Sequence, residues 1–349
     1  MMRIAFILPS LANRGPILVV RDLVTQLQLM GHFCKVFYFD DLPGVEFSSG
    51  TEKLPFKGKY SFEGFDVVHS HGLRPDVFIY RNKASIKAVC VSTMHNIIIE
   101  EYKSTHHYLF AWCVQTVWTH YLKRHDALVC LTRQMCSYYA GLVKKKPQFV
   151  VYNGRSIEEF SELTEAENDE ILRFKKDYKI LGSACVVTKR KGLHQVIQAL
   201  PLLKDYAFIL IGDGPELEGL KALAKDHDVA DRCLFLGSKD QAYRFYSYFD
   251  LFVMASYTEG VPLSLLEAAA VKLPALCSDI EVLREIFTED EVSFFNLDDT
   301  GSFVAAAEYA MASYSKYASA IYECYQAKYT SKSMAVNYET VYQNLIQKK

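Results

Sequence analysis

The 349-residue chain contains no Cys-x-x-Cys and no His-Glu-x-x-His, and its nine cysteines stand singly, most of them in apolar runs such as KAVCVST and LPALCSD. These absences argue against a dithiol redox site and against a zinc centre, and they predict free, buried thiols in a reducing compartment. A Gly-x-Gly-x-x-Gly fingerprint is also missing after the first apolar run, where RIAFILPSLANRGP stands instead, so a nicotinamide enzyme is not expected. No apolar run reaches the about 18–20 residues that a transmembrane helix needs. The leading MMRIAFILPS lacks a small-residue cleavage pattern and reads as a first core strand rather than a signal peptide. No repeat of solenoid length is evident. Charge is sparse: 23% of residues are charged, 50% are hydrophobic and the formal net charge is -2, which excludes long disorder. The balance is uneven, with 19 Lys/Arg against 13 Asp/Glu up to residue 160. Such a split suits an anionic acceptor or a membrane surface, and chance produces splits of this size as well.

The length suits two domains, each with its own core. In the first half RIAFILP, CKVFYF, FDVVHSHG, KAVCVSTMHN, DALVCLT and QFVVYNG read as strands, separated by stretches of helical length such as PILVVRDLVTQLQLMG. In the second half YKILGSACVV, AFILIGDG, RCLFLGS, DLFVMAS and LPALCSD repeat the pattern, with GLHQVIQALPLL, PELEGLKALAKDH and PLSLLEAAAVK as helices. Strand, crossover and strand in alternation predict parallel sheets covered by helices. A polar stretch near 160–178 is expected to carry a linker and a surface helix, and a helical tail runs from about 300 to 349. The expected domains are 1–165 and 166–325, with 326–349 packing back on the first. Ligands in open α/β sheets sit beyond the carboxyl ends of the strands, and the glycine-rich segments GSAC, GDGP, LGS and ASYTEGVP fall there.

The segment SYTEGVPLSLLEAAAV at 256–271 places Glu259 before a Gly260-Val261-Pro262 turn and Glu267 inside an otherwise apolar helix. Pro262 suits the first helical turn, and the amides near Val261 and Leu263 lie where orphan N–H groups attract phosphate. A carboxylate near a helix start is also favoured by the helix dipole alone, so the segment by itself is ambiguous. Glu267, however, lies among apolar residues, and a buried carboxylate needs partners. Lys189, Arg190 and Lys191 cluster at VVTKRKG, which is either a solvated basic turn or a site for phosphate. Eight of the ten histidines precede residue 126; His95, at a strand end beside Asn96, is the best placed for a ligand, while His69, His71, His106 and His107 have core or turn roles as the default. The segment HHYLFAWCVQTVWTHYLKRH suits a membrane face or an apolar core, and Trp112, Trp118, Tyr108 and Tyr121 fit either.

These motifs, in this order, resemble the retaining glycosyltransferases of family 4, which have the GT-B fold. EGVPLSLLE resembles that family's E-x7-E signature, and the similarity continues through Arg14-Gly15-Pro16, TMHN, VVYNGRSIEEF, Lys191-Gly192, LIGDGPELEGL and LFLGS. The resemblance implies two Rossmann-like domains facing across a cleft. It implies a donor diphosphate on Lys191 with Arg190 nearby, ribose hydroxyls on Glu267, and the donor sugar on Glu259 with the backbone of Gly260, Val261 and Leu263. Gly237 would meet the nucleobase, Gly15 would line the diphosphate or acceptor edge, and His95 would approach the reacting centre. Catalytic roles then fall to His95, Glu259 and Lys191, with no metal and no cofactor beyond a UDP-sugar or GDP-sugar donor. Partners would be that donor and a saccharide or lipid-linked saccharide acceptor, with peripheral membrane contact and no nucleic acid. The setting would be the cytoplasm or the cytoplasmic face of the inner membrane, in capsule, O-antigen or lipopolysaccharide synthesis.

The chain departs from the family pattern where Val186 replaces an Arg five residues before the Lys, where Pro16 replaces a second glycine, and in EVLREIFTEDEVSFFNL, which lacks a usual Gly. Lys189 or Arg190 is then expected to supply the second cation. Alternatives are a GT-B protein with a degenerate donor site, or another GT-B enzyme such as a phosphorylase or epimerase.

Overall fold

The computed structural model describes residues 1–42, 44–103, 107–157 and 163–349. Position 106 and most of the IEEF segment, both noted in the sequence, lie outside the described residues. The chain forms two compact units, Met1–Arg155 with Lys328–Lys349, and Ser156–Ala327.

The first unit holds strands β1 (Arg3–Ser10), β2 (Phe33–Asp40), β3 (Thr51–Lys53), β4 (Val67–His71), β5 (Val89–Met94), β6 (Ala127–Cys130) and β7 (Gln148–Val150). They lie in the order β3-β2-β1-β4-β5-β6-β7 with every pair parallel. β4 and β5 are buried along their whole length, because helices cover both faces of the sheet. That two-sided cover is why these strands read as continuous apolar runs rather than alternating ones. β3 has no such signal: its three residues are Thr, Glu and Lys, and Lys35 of β2 pairs with its Glu52. A short charged strand at a sheet edge is how exposed edges are kept from pairing with other chains.

The last fifty residues form three helices, Thr300–Ala312, Tyr314–Lys328 and Ser331–Gln347. Thr330 starts the third by accepting a hydrogen bond from the Ser333 amide at 3.1 Å. This helix packs on the first unit. Tyr342 Oη meets His69 Nδ1 at 2.7 Å and Tyr338 Oη meets Thr93 Oγ1 at 2.9 Å. Arg155 donates to Asp22 at 2.7 Å, and both side chains are buried. Asp22 also accepts from Arg21, so its buried charge is met by two arginines.

The second unit holds β8 (Lys179–Ala184), β9 (Tyr206–Ile211), β10 (Cys233–Phe235), β11 (Leu251–Met254), β12 (Ala275–Ser278) and β13 (Ser293–Phe295). Their order is β10-β9-β8-β11-β12-β13, again all parallel. The polar stretch before β8 carries the helix Glu165–Lys175, opened by a reciprocal capping box between Thr164 and Glu167. In this sheet the chain winds outward in one direction from β8 and in the other from β11. The two strands are neighbours, so their carboxyl ends meet at a topological switch point, where α/β sheets bind ligands.

Candidate functional site

Two loops leave that switch point side by side. The loop after β8 carries Lys191 and the loop after β11 carries Glu259. Lys191 Nζ donates to Glu259 Oε1 at 2.6 Å, and Ser256 Oγ donates to the same oxygen at 2.6 Å. The other carboxylate oxygen faces Arg190 at 3.3 Å, while Arg190 also donates to the Thr258 carbonyl at 2.5 Å. Burial pushes the Glu259 carboxyl up, but the charges of Lys191 and Arg190, with hydrogen bonds from Lys191 and Ser256, hold it below its usual value. The Glu259 side chain is only 7% exposed, against 13% for Lys191 and 25% for Arg190. The arrangement is therefore a desolvated carboxylate with two cations at the rim of the sheet. It can exchange one ion-pair partner for an anionic ligand.

Lys191 does not open an α-helix. Lys189–Lys191 form a 3-10 turn, closed by Gly192 in the left-handed region at φ 60°. A Cβ on Gly192 would lie 2.2 Å from the Ala255 carbonyl oxygen, so only glycine lets the two loops approach this closely. Gln195 locks the contact. Its Nε2 donates to the carbonyls of Gly192 and Ala255 at 3.1 Å, and its Oε1 accepts from the Asp298 amide at 2.7 Å. Neither Gln195 nor Ser256 is singled out by the sequence reading. Ser256 had a faint signal in its three-residue spacing to Glu259; Gln195 had none, since a Gln at a helix start reads as surface.

Pro262 is the N-cap of the helix Leu263–Ala270 rather than its first residue. Its carbonyl accepts the first amides of the helix, from Leu265 and Leu266. Gly260 and Val261 are buried beneath the turn and Leu263 is half-buried. Glu267 is 8% exposed, as its apolar surroundings in the sequence predict. Gly237 follows β10 at φ 68°, and its carbonyl accepts from the Gly212 amide at 2.8 Å, which fixes the strand end. Val186, in the position of the missing Arg, is 67% exposed, and Lys189 is exposed as well. The second cation beside Glu259 is Arg190.

In the first unit, Gly15 opens the helix Gly15–Leu29 after β1; a Cβ there would meet nothing within 4 Å. His95 follows β5, and its Nε2 contacts His71 Nδ1 at 2.9 Å. His69 lies against His71 with ring centroids 4.2 Å apart and bonds Thr93 and Tyr342. Burial drives His69 and His71 well below the usual imidazole value and His95 to about 4, so all three are neutral at ordinary pH. Ser70, Asp76 and His125 form a separate buried network, with Ser70 Oγ donating to Asp76 at 2.6 Å and Trp118 Nε1 donating to it at 2.7 Å. A Ser, a His and an Asp meet here, but all three are buried, and the serine hydroxyl is spent on the carboxylate. Among the described residues no group of three His, Cys, Asp or Glu is placed to hold a metal ion.

Comparison with known proteins bears on the fold and on the class of reaction. Residues 164–326 match the family model described as glycosyl transferases group 1. The chain is 27% identical over 357 residues to the O-antigen biosynthesis glycosyltransferase WclY of Escherichia coli, covering 99% of each. It is 27% identical over 193 residues to the lipopolysaccharide core biosynthesis glycosyltransferase LpsE of Rhizobium meliloti, covering 55% of this chain and 56% of LpsE. Among solved structures, the sucrose-phosphate synthase of Thermosynechococcus elongatus superposes with a TM-score of 0.82 at 18% identity over the whole of both chains. Anabaena HepE in complex with UDP and glucose superposes with a TM-score of 0.82 at 14% identity, over 99% of this chain and 100% of that one. The fold is GT-B. The relatives support a sugar-transfer role in bacterial polysaccharide synthesis.

Proposed function

We propose that this GT-B glycosyltransferase moves a sugar from a nucleoside diphosphate, UDP in the first instance, to a hydroxyl of a saccharide or lipid-linked saccharide acceptor, with retention at the anomeric carbon. The observation that carries the reading is the contact of Lys191 and Arg190 with buried Glu259 at the switch point of the second sheet. A leaving diphosphate gathers negative charge as the glycosidic bond breaks. Two cations already at the rim of the sheet, one of them only 13% exposed, stabilise that charge as Lys191 exchanges Glu259 for the diphosphate. Glu259 then holds sugar hydroxyls, and Glu267 holds the ribose.

Glu259 is a poor nucleophile here, because both its oxygens face donors. The departing phosphate takes the acceptor proton instead. A neutral His95 contributes a hydrogen bond to the transferred sugar rather than a proton. UDP bound to a fold neighbour favours that base, and polysaccharide-building relatives favour a saccharide acceptor.

Calorimetry with UDP, GDP and ADP tests the reading. One of the three should bind well below millimolar, and Glu267→Ala should weaken it with the fold intact. Failure of all three would leave a GT-B protein without donor chemistry, and unchanged affinity in Glu267→Ala would remove the ribose role.

A further inference from the structure

His69 and His71 stand two residues apart at the end of β4, and Thr93 and His95 stand two apart at the end of β5 and just beyond it. Alternate residues of a strand share a face, so each histidine of β4 looks toward the same side as the β5 residues beside it. Each also reaches the residue two positions past its register partner. His69 is in register with Val91 and His71 with Thr93. His69 Nε2 meets Thr93 Oγ1 at 2.8 Å, and His71 Nδ1 meets His95 Nε2 at 2.9 Å.

The two histidines differ in what their second nitrogen meets. His69 Nδ1 contacts Tyr342 Oη at 2.7 Å, so both of its nitrogens face hydroxyls, which donate or accept as needed. Either tautomer of His69 is satisfied. His71 is 2% exposed, and its buried Nε2 has no hydrogen-bond partner among the described residues. Its tautomer is therefore not a free choice.

Both His71 and His95 are neutral at ordinary pH, because burial penalises the charged ring. A neutral imidazole carries one N–H and one bare nitrogen, so the 2.9 Å contact holds a single proton. If His95 donated it from Nε2, the proton of His71 would sit on its own Nε2, a buried N–H with nothing to receive it. If His71 donates from Nδ1, its Nε2 is a bare acceptor instead. Orphaned buried N–H groups are rare in folded proteins and under-satisfied acceptors less so, which favours donation by His71. His95 then carries its own proton on Nδ1. That ring is half-buried, and its Nδ1 makes no hydrogen bond among the described residues.

We propose that His71 is a positioning residue: its Nδ1–H donates to His95 Nε2 and fixes His95 in the tautomer that offers Nδ1–H to an acceptor oxygen of the transferred sugar. The tautomer follows from the geometry of the first unit, while the sugar rests on the glycosyltransferase reading given above. An isolated histidine ring favours the proton on Nε2, so the contact with His71 imposes the less common form.

Long-range proton–nitrogen NMR of the full chain with nitrogen-labelled histidine, near neutral pH, separates protonated from bare ring nitrogens. His71→Asn and His95→Asn assign the signals. Both residues should show a protonated Nδ1 and a bare Nε2. His71→Asn places an amide N–H where Nδ1 was and should keep His95 in that form, whereas His71→Leu should return the His95 proton to Nε2. Calorimetry should find UDP affinity equal in the native chain and both His71 variants. The extra affinity for UDP-glucose or UDP-galactose over UDP should fall about 2- to 12-fold in His71→Leu and recover in His71→Asn.

The proposal is overturned if His95 of the native chain carries its proton on Nε2, if its tautomer is unchanged in His71→Leu, or if that variant keeps the native preference for a UDP-sugar. Where urea unfolding shows that His71→Leu does not fold, His71→Asn decides, and a changed His95 tautomer there refutes the donation. A native chain whose UDP affinity gains nothing from the attached sugar overturns the sugar contact, and absent UDP binding overturns the donor reading itself. The tautomer, measured in the free chain, separates both of these from a failure of the His71 contact.

Discussion

Lys191 has one charge and two claimants. In the structure Glu259 holds it at 2.6 Å; in the proposed reaction the donor diphosphate does. Two substitutions should therefore affect nucleotide binding differently. Lys191→Met removes a hydrogen bond to a charged group, worth about 1.5–3 kcal/mol, so UDP should bind about 10- to 150-fold more weakly. Glu259→Gln removes the competitor and leaves both cations in place. UDP affinity should hold or tighten, by up to about tenfold, while the extra affinity for UDP-sugar over UDP is lost. The same substitution strips Lys191 and Arg190 of their buried counter-ion and should cost about 1–3 kcal/mol of stability, less than a fully buried pair because Arg190 reaches solvent. Calorimetric titration of UDP and UDP-glucose into both variants, beside urea unfolding of each, measures all three quantities. If Glu259→Gln weakens UDP as much as Lys191→Met does, Glu259 supports the nucleotide directly and the competition argument is wrong.

The buried histidines set a pH limit. His69, His71 and His95 have folded values below their unfolded one, so the unfolded chain binds more protons as pH falls from about 6.5. Their contribution is fully present above that value and is lost as pH falls below it, for His95 down to about 4, by up to about 1.4 kcal/mol per pH unit for each proton taken up. Urea midpoints between pH 7 and 4.5 should fall accordingly, and His71→Phe, which replaces one proton acceptor, should flatten the decline; a flat native profile would contradict the burial argument. Gly192→Ala puts a Cβ 2.2 Å from the Ala255 carbonyl at a positive φ and should destabilise the chain by about 1–3 kcal/mol while lowering UDP affinity. An Ala variant with native stability and affinity would show that the two loops need not touch.

Much of the architecture is legible because parallel sheets covered on both sides require continuous apolar strands, and RIAFILP, KAVCVST and AFILIGD have that character. β3 escaped because an edge strand of Thr, Glu and Lys has no core to face. The acid-bracketed turn was legible for a similar local reason, since Glu259, Gly260 and Pro262 sit within four residues at a strand end. Glu267 was expected to be buried from its apolar helix alone, and it is.

The resemblance pointed to Lys191, but the sequence could not choose between Lys189 and Arg190 for the second cation, because adjacent side chains in a tight turn point different ways. Only the 3-10 conformation sends Arg190 and Lys191 to Glu259 and leaves Lys189 in solvent. Gln195 was beyond reach for a different reason: its partners at Ala255 and Asp298 lie 60 and 103 residues away. The helix Tyr108–Leu122, in which Trp118 is buried and Trp112 exposed, shows the same division. Its composition fitted a core or a membrane face equally, because hydrophobicity along a chain records what a side chain prefers and not what surrounds it. Strand runs, turn chemistry and the acid pair were fixed by local order of residues. Which cation faces the carboxylate, which histidines lose their charge, and which of two tryptophans is buried depended on contacts between distant segments, and these exist only once the chain is folded.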